Sequence, residues 1–184
     1  MKVIETKLSE VLVIEPDVYG DERGWFKESF QKERYAKIGI DLPFVQDNVS
    51  FSQYGVLRGL HFQHPNSQGK LVQVLMGEVF DVAVDIRVGS PTFGKWEGVS
   101  LSAENHRQFW VPPDFAHGFQ VVSETALFAY KCTAFYDPNS EHTIAWDDAD
   151  LSIDWPISKP QLSEKDLGRR GLYHLAEGIL PVFG

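Results

Sequence analysis

Apolar and polar residues alternate in short stretches along most of this chain. In the clearest stretch, residues 80–87, Phe80 and Val82 lie on one face of a predicted strand, and Asp81 and Asp85 lie on the other. Further strands are predicted at residues 11–14, 44–51, 56–63, 95–102, 108–111, 118–123 and 126–136, with turns at 19–24, 54–55, 90–91 and 112–113. The chain is therefore predicted to be rich in β-strands from near one end to the other.

Helical patterns are few. Residues 31–38 predict a short helix that ends at Gly39, and the spacing from Ser163 to Asp166 is typical of a capping box, which predicts a second helix beginning at Ser163. Many short strands with almost no crossover helices indicate an all-β, antiparallel jelly-roll barrel. No repeat, low-complexity tract or linker divides the sequence, so a single domain over residues 1–184 is expected.

The charge balance narrows the possible partners. The chain has 17 Lys and Arg residues against 26 Asp and Glu residues, a net charge of −9, which argues against a nucleic acid polymer. A small anionic ligand remains compatible if a few cations gather locally. The single cysteine, Cys132, indicates a reducing compartment, and no stretch has the apolar length of a signal-peptide core or a membrane span. A cytoplasmic protein without membrane contact is expected.

The predicted strand around Gly59 carries unusual side chains for a barrel core. Arg58 and His61 lie among apolar residues there, and buried polar groups in proteins are paired or functional. These two residues fall on opposite faces of a regular strand. Both can reach one pocket only if Gly59 introduces a bulge or a twist.

A metal site is the first alternative, because jelly-roll barrels often hold metals. His61 and His64 are separated by two residues, which places them on opposite faces of a strand. Glu78 and His117 could supply further ligands, but a pair of histidines on one face is missing. We therefore expect a metal-free site and a solvated His64.

A histidine and a tyrosine would together suit proton transfer at carbon. Tyr130 and Tyr136 share the parity of one predicted strand, although tyrosines in strands are more often packing residues. A phenol with an ordinary pKa of about 10 is protonated at neutral pH, whereas a neutral imidazole such as that of His61 can accept a proton. Inversion at a carbon needs one group of each kind, on opposite sides of the substrate.

Several segments match a known pattern in a fixed order. The most distinctive is Arg-Gly-Leu-His-Phe-Gln at residues 58–63. The others are residues 20–24, 44–48, 77–87, 90–94 and 115–119, together with Tyr130, Lys131, Tyr136 and Glu141. In this order, and over most of the chain, they resemble the dTDP-4-dehydrorhamnose 3,5-epimerase family of cupin-like sugar-nucleotide epimerases.

The resemblance implies a homodimeric jelly roll that inverts C3 and C5 of dTDP-4-dehydro-6-deoxy-D-glucose to give dTDP-4-dehydro-L-rhamnose. In that family the histidine at the position of His61 is the base, and the aspartate matching Asp166 orients it. The tyrosine matching Tyr130 is the acid, and the one matching Tyr136 stacks on the thymine ring. The other residues that match substrate-binding positions are Arg23, Glu28, Gln46, Asn48, Arg58, Lys70, His117, Glu141 and Lys165.

Physical reasoning adds expectations to this resemblance. Proton abstraction beside a ketone needs a stabilised enolate oxygen, for which Lys70 is the candidate, although Lys70 could also be an exposed turn residue. Arg23, Arg58 and Lys165 should converge on the diphosphate. Asp166 keeps a second interpretation as a capping-box residue. The N-terminal strands are expected to help form the dimer.

The chain departs from the family pattern at a few positions. Trp25 stands where phenylalanine is expected, Phe135 replaces a more usual tyrosine, and His142 follows Glu141 where arginine or glycine is commoner. The tail after Asp166 matches poorly. These departures bear on substrate specificity more than on the reaction type.

Other functions remain open from the sequence. One is a metal-dependent cupin, such as a sugar isomerase or dioxygenase, and another is a sugar-nucleotide binding module without activity. A relative that inverts only C3 or only C5 is the third. No dinucleotide-binding, P-loop or Schiff-base motif is present in the sequence, and proton transfer needs no cofactor, so none is expected. If His61 is not the base, Asp81 and Asp85 are the next candidates.

Overall fold

Antiparallel strands dominate the computed structural model, which describes residues 1–176 and 178–184. The strands are β1 (Lys2–Glu5), β2 (Leu12–Glu15), β3 (Val18–Asp21), β4 (Gly24–Lys27), β5 (Gln46–Gln53), β6 (Leu57–Gln63), β7 (Lys70–Met76), β8 (Glu78–Asp85), β9 (Trp96–Ser102), β10 (Gln108–Val111), β11 (Phe115–Val121), β12 (Thr125–Cys132) and β13 (Glu141–Thr143). Within these residues the helical elements are α1 (Lys32–Ala36) and a 3-10 turn at Leu172–His174. The all-β prediction is confirmed.

Two sheets face each other to form the jelly-roll barrel. The larger sheet has the strand order β1-β2-β10-β7-β12-β5, and the smaller has the order β13-β6-β11-β8-β9. All pairings within both sheets are antiparallel. Strands β3 and β4 pair only with each other, as a hairpin outside the two sheets.

The interior of the barrel is filled from both sheets. Val72 and Phe128 of the larger sheet and Val79 and Phe119 of the smaller sheet belong to one buried apolar cluster. The rings of Phe119 and Phe128 stack at 4.2 Å between centroids, across the gap between the sheets. Burial of such side chains stabilises a fold by roughly 1.5–3 kcal/mol each, so this cluster holds the sheets together.

Strand β8 is buried on both faces. Its apolar face, which includes Val82 and Val84, packs against the C-terminal segment, which contributes Leu151 to the same buried cluster. Its other face, which carries Asp81 and Asp85, was expected to be polar, and both carboxylates are fully buried. The smaller sheet is thus covered outside by the C-terminal segment, and Asp81 points into the barrel beside His117.

Three local predictions were wrong, and one strand was missed. No helix begins at Ser163, because backbone bonds hold the preceding residues against β6 and residues 164–168 form turns. Strand β12 ends at Cys132, so Tyr136 lies beyond it rather than sharing its parity with Tyr130. Residues 18–27 form the β3–β4 hairpin rather than a simple turn, and β7 was not predicted.

The helices are short. In the described parts of the chain, up to residue 176 and from 178 onward, none combines the length and apolar character that a membrane crossing requires.

Candidate active site

A cavity of about 310 Å³ opens between the two sheets. Most of the site residues that the sequence predicted lie around it: Gln46, Asn48, Arg58, His61, Lys70, His117, Tyr130, Tyr136, Glu141 and Lys165. Strands β5, β7 and β12 of the larger sheet supply one wall, and β6, β11 and β13 of the smaller sheet supply the other. The fold therefore gathers side chains that are scattered along the sequence.

A bulge in β6 brings Arg58 and His61 to the same cavity. His117 of β11 pairs with His61 and Phe119 pairs with Arg58, so three steps along β6 oppose two along β11. Gly59 lies within this irregularity with a φ of +128°. A Cβ atom there would come within 2.6 Å of the Gly118 Cα and 2.8 Å of the His117 carbonyl oxygen. The bulge that the sequence required is present, and glycine is the residue that fits it.

His61 is paired with a buried carboxylate. Its Nε2 lies 2.6 Å from Oδ1 of Asp166, whose side chain is 2% exposed. Burial lowers the pKa of His61 despite the opposing effect of Asp166, so the ring is neutral at pH 7. Burial alone would raise the pKa of Asp166, but hydrogen bonds from His61 and Ser163 outweigh it and lower that pKa. An ionised Asp166 can only accept, so Nε2 carries the ring proton and Nδ1 has a free lone pair.

Tyr130 stands on the wall opposite His61. It belongs to β12 of the larger sheet, whereas His61 belongs to β6 of the smaller sheet, and both line the cavity. Burial and the neighbouring Cys132 raise the pKa of the Tyr130 phenol, which is therefore protonated at neutral pH. The cavity thus holds a proton acceptor on one wall and a proton donor on the other.

Lys70 and His117 line the cavity, and Asp81 is buried beside His117. Nε2 of His117 lies 2.9 Å from Oδ1 of Asp81, and Oδ2 of Asp81 has no hydrogen-bond partner among the residues that the structure describes. Burial raises the pKa of Asp81 and lowers that of Lys70. Lys70 is the first residue of β7 and faces inward rather than forming an exposed turn. An ammonium group here would favour negative charge that develops on a bound oxygen.

The mouth of the cavity is built around Tyr136. Its hydroxyl donates to Oε2 of Glu141 at 2.9 Å, and its backbone N–H donates to Oε1 of Gln46 at 2.9 Å. Glu141 also bonds to Nζ of Lys165. The ring of Tyr136 is half exposed, so a flat ligand can reach it.

Arg23 and Glu28 do not line the cavity of their own chain. Arg23 sits in the β3–β4 turn, 84% exposed, and pairs with Asp21, whereas Glu28 pairs with Arg34. Of the three cations expected to converge on the diphosphate, Arg58 and Lys165 border the cavity and Arg23 does not. The hairpin that carries Arg23 is hydrogen-bonded to neither sheet, which accounts for the difference.

Sequence reasoning missed part of the cavity lining. The residues not predicted are Ser50, Phe62, Gln63, Gln68, Phe119 and Phe128. Strand parity was the available signal, because Gln63 is two positions from His61 and Phe119 is two positions from His117. Gln63 also fixes the mouth, since its Oε1 accepts a 3.0 Å hydrogen bond from the N–H of Asp137.

The cavity offers little to a metal ion. Among residues 1–176 and 178–184, no three His, Cys, Asp or Glu side chains are grouped so that they could hold one. His61 and His117 each bond to a carboxylate through Nε2. His64 does not line the cavity and lies one residue beyond the end of β6.

Comparison with known proteins identifies relatives over nearly the whole chain. The family model for dTDP-4-dehydrorhamnose 3,5-epimerase matches residues 5–173. The dTDP-4-dehydrorhamnose 3,5-epimerase of Shigella flexneri is 56% identical over 169 residues, covering 91% of this chain and 93% of that protein. The crystal structure of the dTDP-6-deoxy-D-glucose-3,5-epimerase of Legionella pneumophila, in complex with dTDP-4-keto-L-rhamnose, superposes with a TM-score of 0.97 at 57% identity, covering 100% and 98% of the chains.

A relative of narrower activity is also similar. A 3′-monoepimerase from Streptomyces bikiniensis, solved with dTDP-quinovose, is 35% identical with a TM-score of 0.89, covering 97% of this chain and 92% of that one. The identity is lower than to the 3,5-epimerases above. From its fold, its cavity and its sequence, this chain belongs to the dTDP-4-dehydrorhamnose 3,5-epimerase family.

Proposed function

We propose that the cavity inverts C3 and C5 of dTDP-4-dehydro-6-deoxy-D-glucose and yields dTDP-4-dehydro-L-rhamnose, for dTDP-L-rhamnose biosynthesis. Membership of the family supports this reaction. The observation that carries it in this chain is the neutral His61, held by Asp166, opposite the protonated Tyr130. We assign the activity to one domain formed by residues 1–184.

The first step is removal of a carbon-bound proton by His61. Nδ1 accepts the proton from the carbon next to the ketone, while Nε2–H stays bonded to Asp166. The resulting imidazolium is stabilised by the ionised carboxylate. Because burial lowers the pKa of His61, the ring is already neutral, with Nδ1 unprotonated, when substrate arrives at neutral pH.

The second requirement is a stabilised enolate. The electrons of the broken C–H bond move onto the ketone oxygen, and a positive group close to that oxygen lowers the barrier. Lys70 and His117 both line the cavity and suit this role. Removal of one such donor in other enzymes costs about 10²–10³-fold in rate.

Return of a proton from the opposite side completes the inversion. Tyr130 donates its phenolic proton to the carbon from the wall facing His61. The same pair of groups serves C3 and C5, since both carbons flank the C4 ketone. Every step is a proton transfer that side chains of the chain can perform.

The nucleotide end of the substrate is assigned to the mouth. Arg58 and Lys165 border the cavity and suit the diphosphate, which local cations can bind despite a net charge of −9. Tyr136 offers a half-exposed ring for stacking on thymine. Gln46, Asn48 and Glu141 add hydrogen-bonding groups around it.

A homodimer would complete the site. The exposed hairpin carries Trp25 and Phe26, which are 57% and 68% exposed, beside Arg23. The edge strand β5 adds exposed Val49 and Phe51. Exposed apolar edges and patches often mark surfaces that a partner covers. We propose that two chains associate through this surface and that Arg23 and Glu28 then reach the partner's cavity.

The function is tested by turnover of purified protein with dTDP-4-dehydro-6-deoxy-D-glucose, followed by NMR. A product of L-rhamno configuration supports it, whereas a product inverted only at C3 would place the chain with the monoepimerases.

Cys132 is buried and unpaired, which fits the reducing cytoplasm where we place the reaction.

A further inference from the structure

The Asp166 carboxylate is held at both of its oxygens. Oδ1 lies 2.6 Å from Nε2 of His61, and Oδ2 accepts a 2.6 Å hydrogen bond from Oγ of Ser163. Ser163 and Asp166 are also joined through the backbone, where the N–H of Asp166 donates to the carbonyl oxygen of Ser163 at 2.9 Å. A carboxylate is planar, so fixing Oδ2 sets the direction in which Oδ1 faces the imidazole.

The segment that precedes this serine is fastened to the barrel. The buried amide of Gln120 bonds both backbone groups of Ile157, donating from Nε2 to the carbonyl oxygen and accepting the N–H at Oε1, each at 2.8 Å. The backbone of Gln161 donates to the Gly55 carbonyl at 2.8 Å and accepts from the Leu57 N–H at 3.0 Å. These bonds fix where the following turn meets β6.

We propose that Ser163 is a positioning residue of the epimerase reaction, whose hydroxyl holds Asp166 in the orientation that aligns His61 for proton abstraction. The proposal rests on the function proposed above. Ser163 does not line the cavity and acts only through Asp166. Since residues 164–168 form turns rather than a helix, helix capping does not account for the serine.

The charges around His61 determine how the loss of this hydroxyl should appear. Lys165 and Lys70 disfavour protonation of His61, whereas Asp166 favours it, and Glu141 lies within range of the ring. The Ser163 hydroxyl stabilises the ionised form of Asp166. Without it, the His61–Asp166 pair takes up a proton at higher pH, so the acid limb of the kcat/KM profile moves upward in pH.

The test is steady-state kinetics of Ser163→Ala across pH, with deuterium uptake as a second readout. We expect kcat to fall about tenfold, as for loss of a hydrogen bond to a charged group, with KM within about twofold because the serine does not contact the substrate. Ser163→Thr keeps the hydroxyl and should restore the rate and the profile. Ser163→Cys keeps the shape with a weak donor and should behave like Ser163→Ala.

Ser90→Ala is the matched control. Oγ of Ser90 also donates to an aspartate, Oδ2 of Asp85, at 2.6 Å, but that carboxylate pairs with Arg87 rather than with a histidine. Ser90→Ala should leave kcat and the pH profile unchanged. An equal loss in Ser90→Ala, or normal kinetics in both Ser163→Ala and Ser163→Cys, would overturn the proposal. An inactive wild-type chain would instead contradict the proposed function.

Discussion

His61 and Tyr130 have surroundings that move their pKa values in opposite directions. Burial lowers the pKa of His61, although Asp166 opposes this, and burial raises the pKa of Tyr130. At neutral pH the imidazole is therefore free to accept a proton while the phenol still holds one. Pairs of groups whose environments separate their pKa values in this way are typical of acid–base catalysis.

The variant His61→Ala should lose both epimerisation and deuterium uptake, because the substitution removes the Nδ1 that we propose accepts the carbon-bound proton. General-base catalysis contributes about 10²–10⁴-fold, and a loss of this size is expected in kcat. The matched control is His64→Ala, three positions along the chain and outside the cavity. It should keep normal activity. Near-normal uptake at C3 and C5 in His61→Ala would move the base elsewhere, with the buried Asp81 first in line.

The variant Tyr130→Phe should separate exchange from inversion. His61 can still abstract a proton and return one to the same side, so deuterium uptake should persist while epimerisation slows by about 10²-fold or more. Comparing the rate of exchange with the rate of product formation by NMR measures this. Equal losses of both rates would contradict the assignment of Tyr130 as the acid.

At the scale of elements, the bulge in β6 decides whether the site exists. Without it, Arg58 and His61 would point to opposite sides of the smaller sheet. Gly59 permits it through a positive φ and through close contact with Gly118 of β11. Backbone geometry in one strand thus brings Arg58, the proposed diphosphate-binding cation, and His61, the proposed base, to one cavity.

Gly59→Ala should destabilise the protein and reduce activity together. A conformation with φ of +128° is strained for alanine, at a cost of about 1–3 kcal/mol, and the added Cβ would overlap Gly118. Urea unfolding followed by tryptophan fluorescence measures the free energy of unfolding. Gly55→Ala is the control, since Gly55 also has a positive φ but a Cβ there meets nothing closer than 3.9 Å. An equal loss in both variants would show that the close packing at Gly59 is unimportant.

The sequence predicted features that depend on neighbouring residues better than features that depend on contacts between distant residues. Alternation gave the strands and the all-β class, and the parity conflict between Arg58 and His61 correctly required a bulge at Gly59. The helix expected at Ser163 was wrong, because contacts with distant Gln120 and β6 overrode a local capping pattern. Tyr136 was predicted on the same strand as Tyr130 but lies beyond it, because the end of β12 depends on tertiary contacts. The location of Asp166 beside His61, 105 residues away, came only from the family resemblance.

At the scale of the whole molecule, the exposed surfaces of the chain are the basis for the proposed dimer. The β3–β4 hairpin and the outer face of β5 expose large apolar side chains, and two predicted substrate ligands, Arg23 on the hairpin and Glu28 just after it, lie outside the cavity. A dimer resolves both observations, because it would cover the apolar surface and carry Arg23 to the partner's site.

Light scattering should therefore give twice the mass of one chain. The double variant Val49→Asp with Phe51→Asp should shift the protein toward a monomer and weaken substrate binding, because charges on this surface oppose its burial. Val182→Asp is the control, since Val182 is 75% exposed and pairs with Val88 rather than with β5. A monomeric wild-type chain with full activity would refute the dimer.

The most direct test of the central claim is an NMR experiment in D2O with dTDP-4-dehydro-6-deoxy-D-glucose and the wild-type chain. If His61 and Tyr130 act on both carbons beside the ketone, deuterium appears at C3 and at C5 and the product has the L-rhamno configuration. Carbon C2 keeps its hydrogen, because it does not flank the ketone. Uptake at C3 alone, or at neither carbon, would contradict the account.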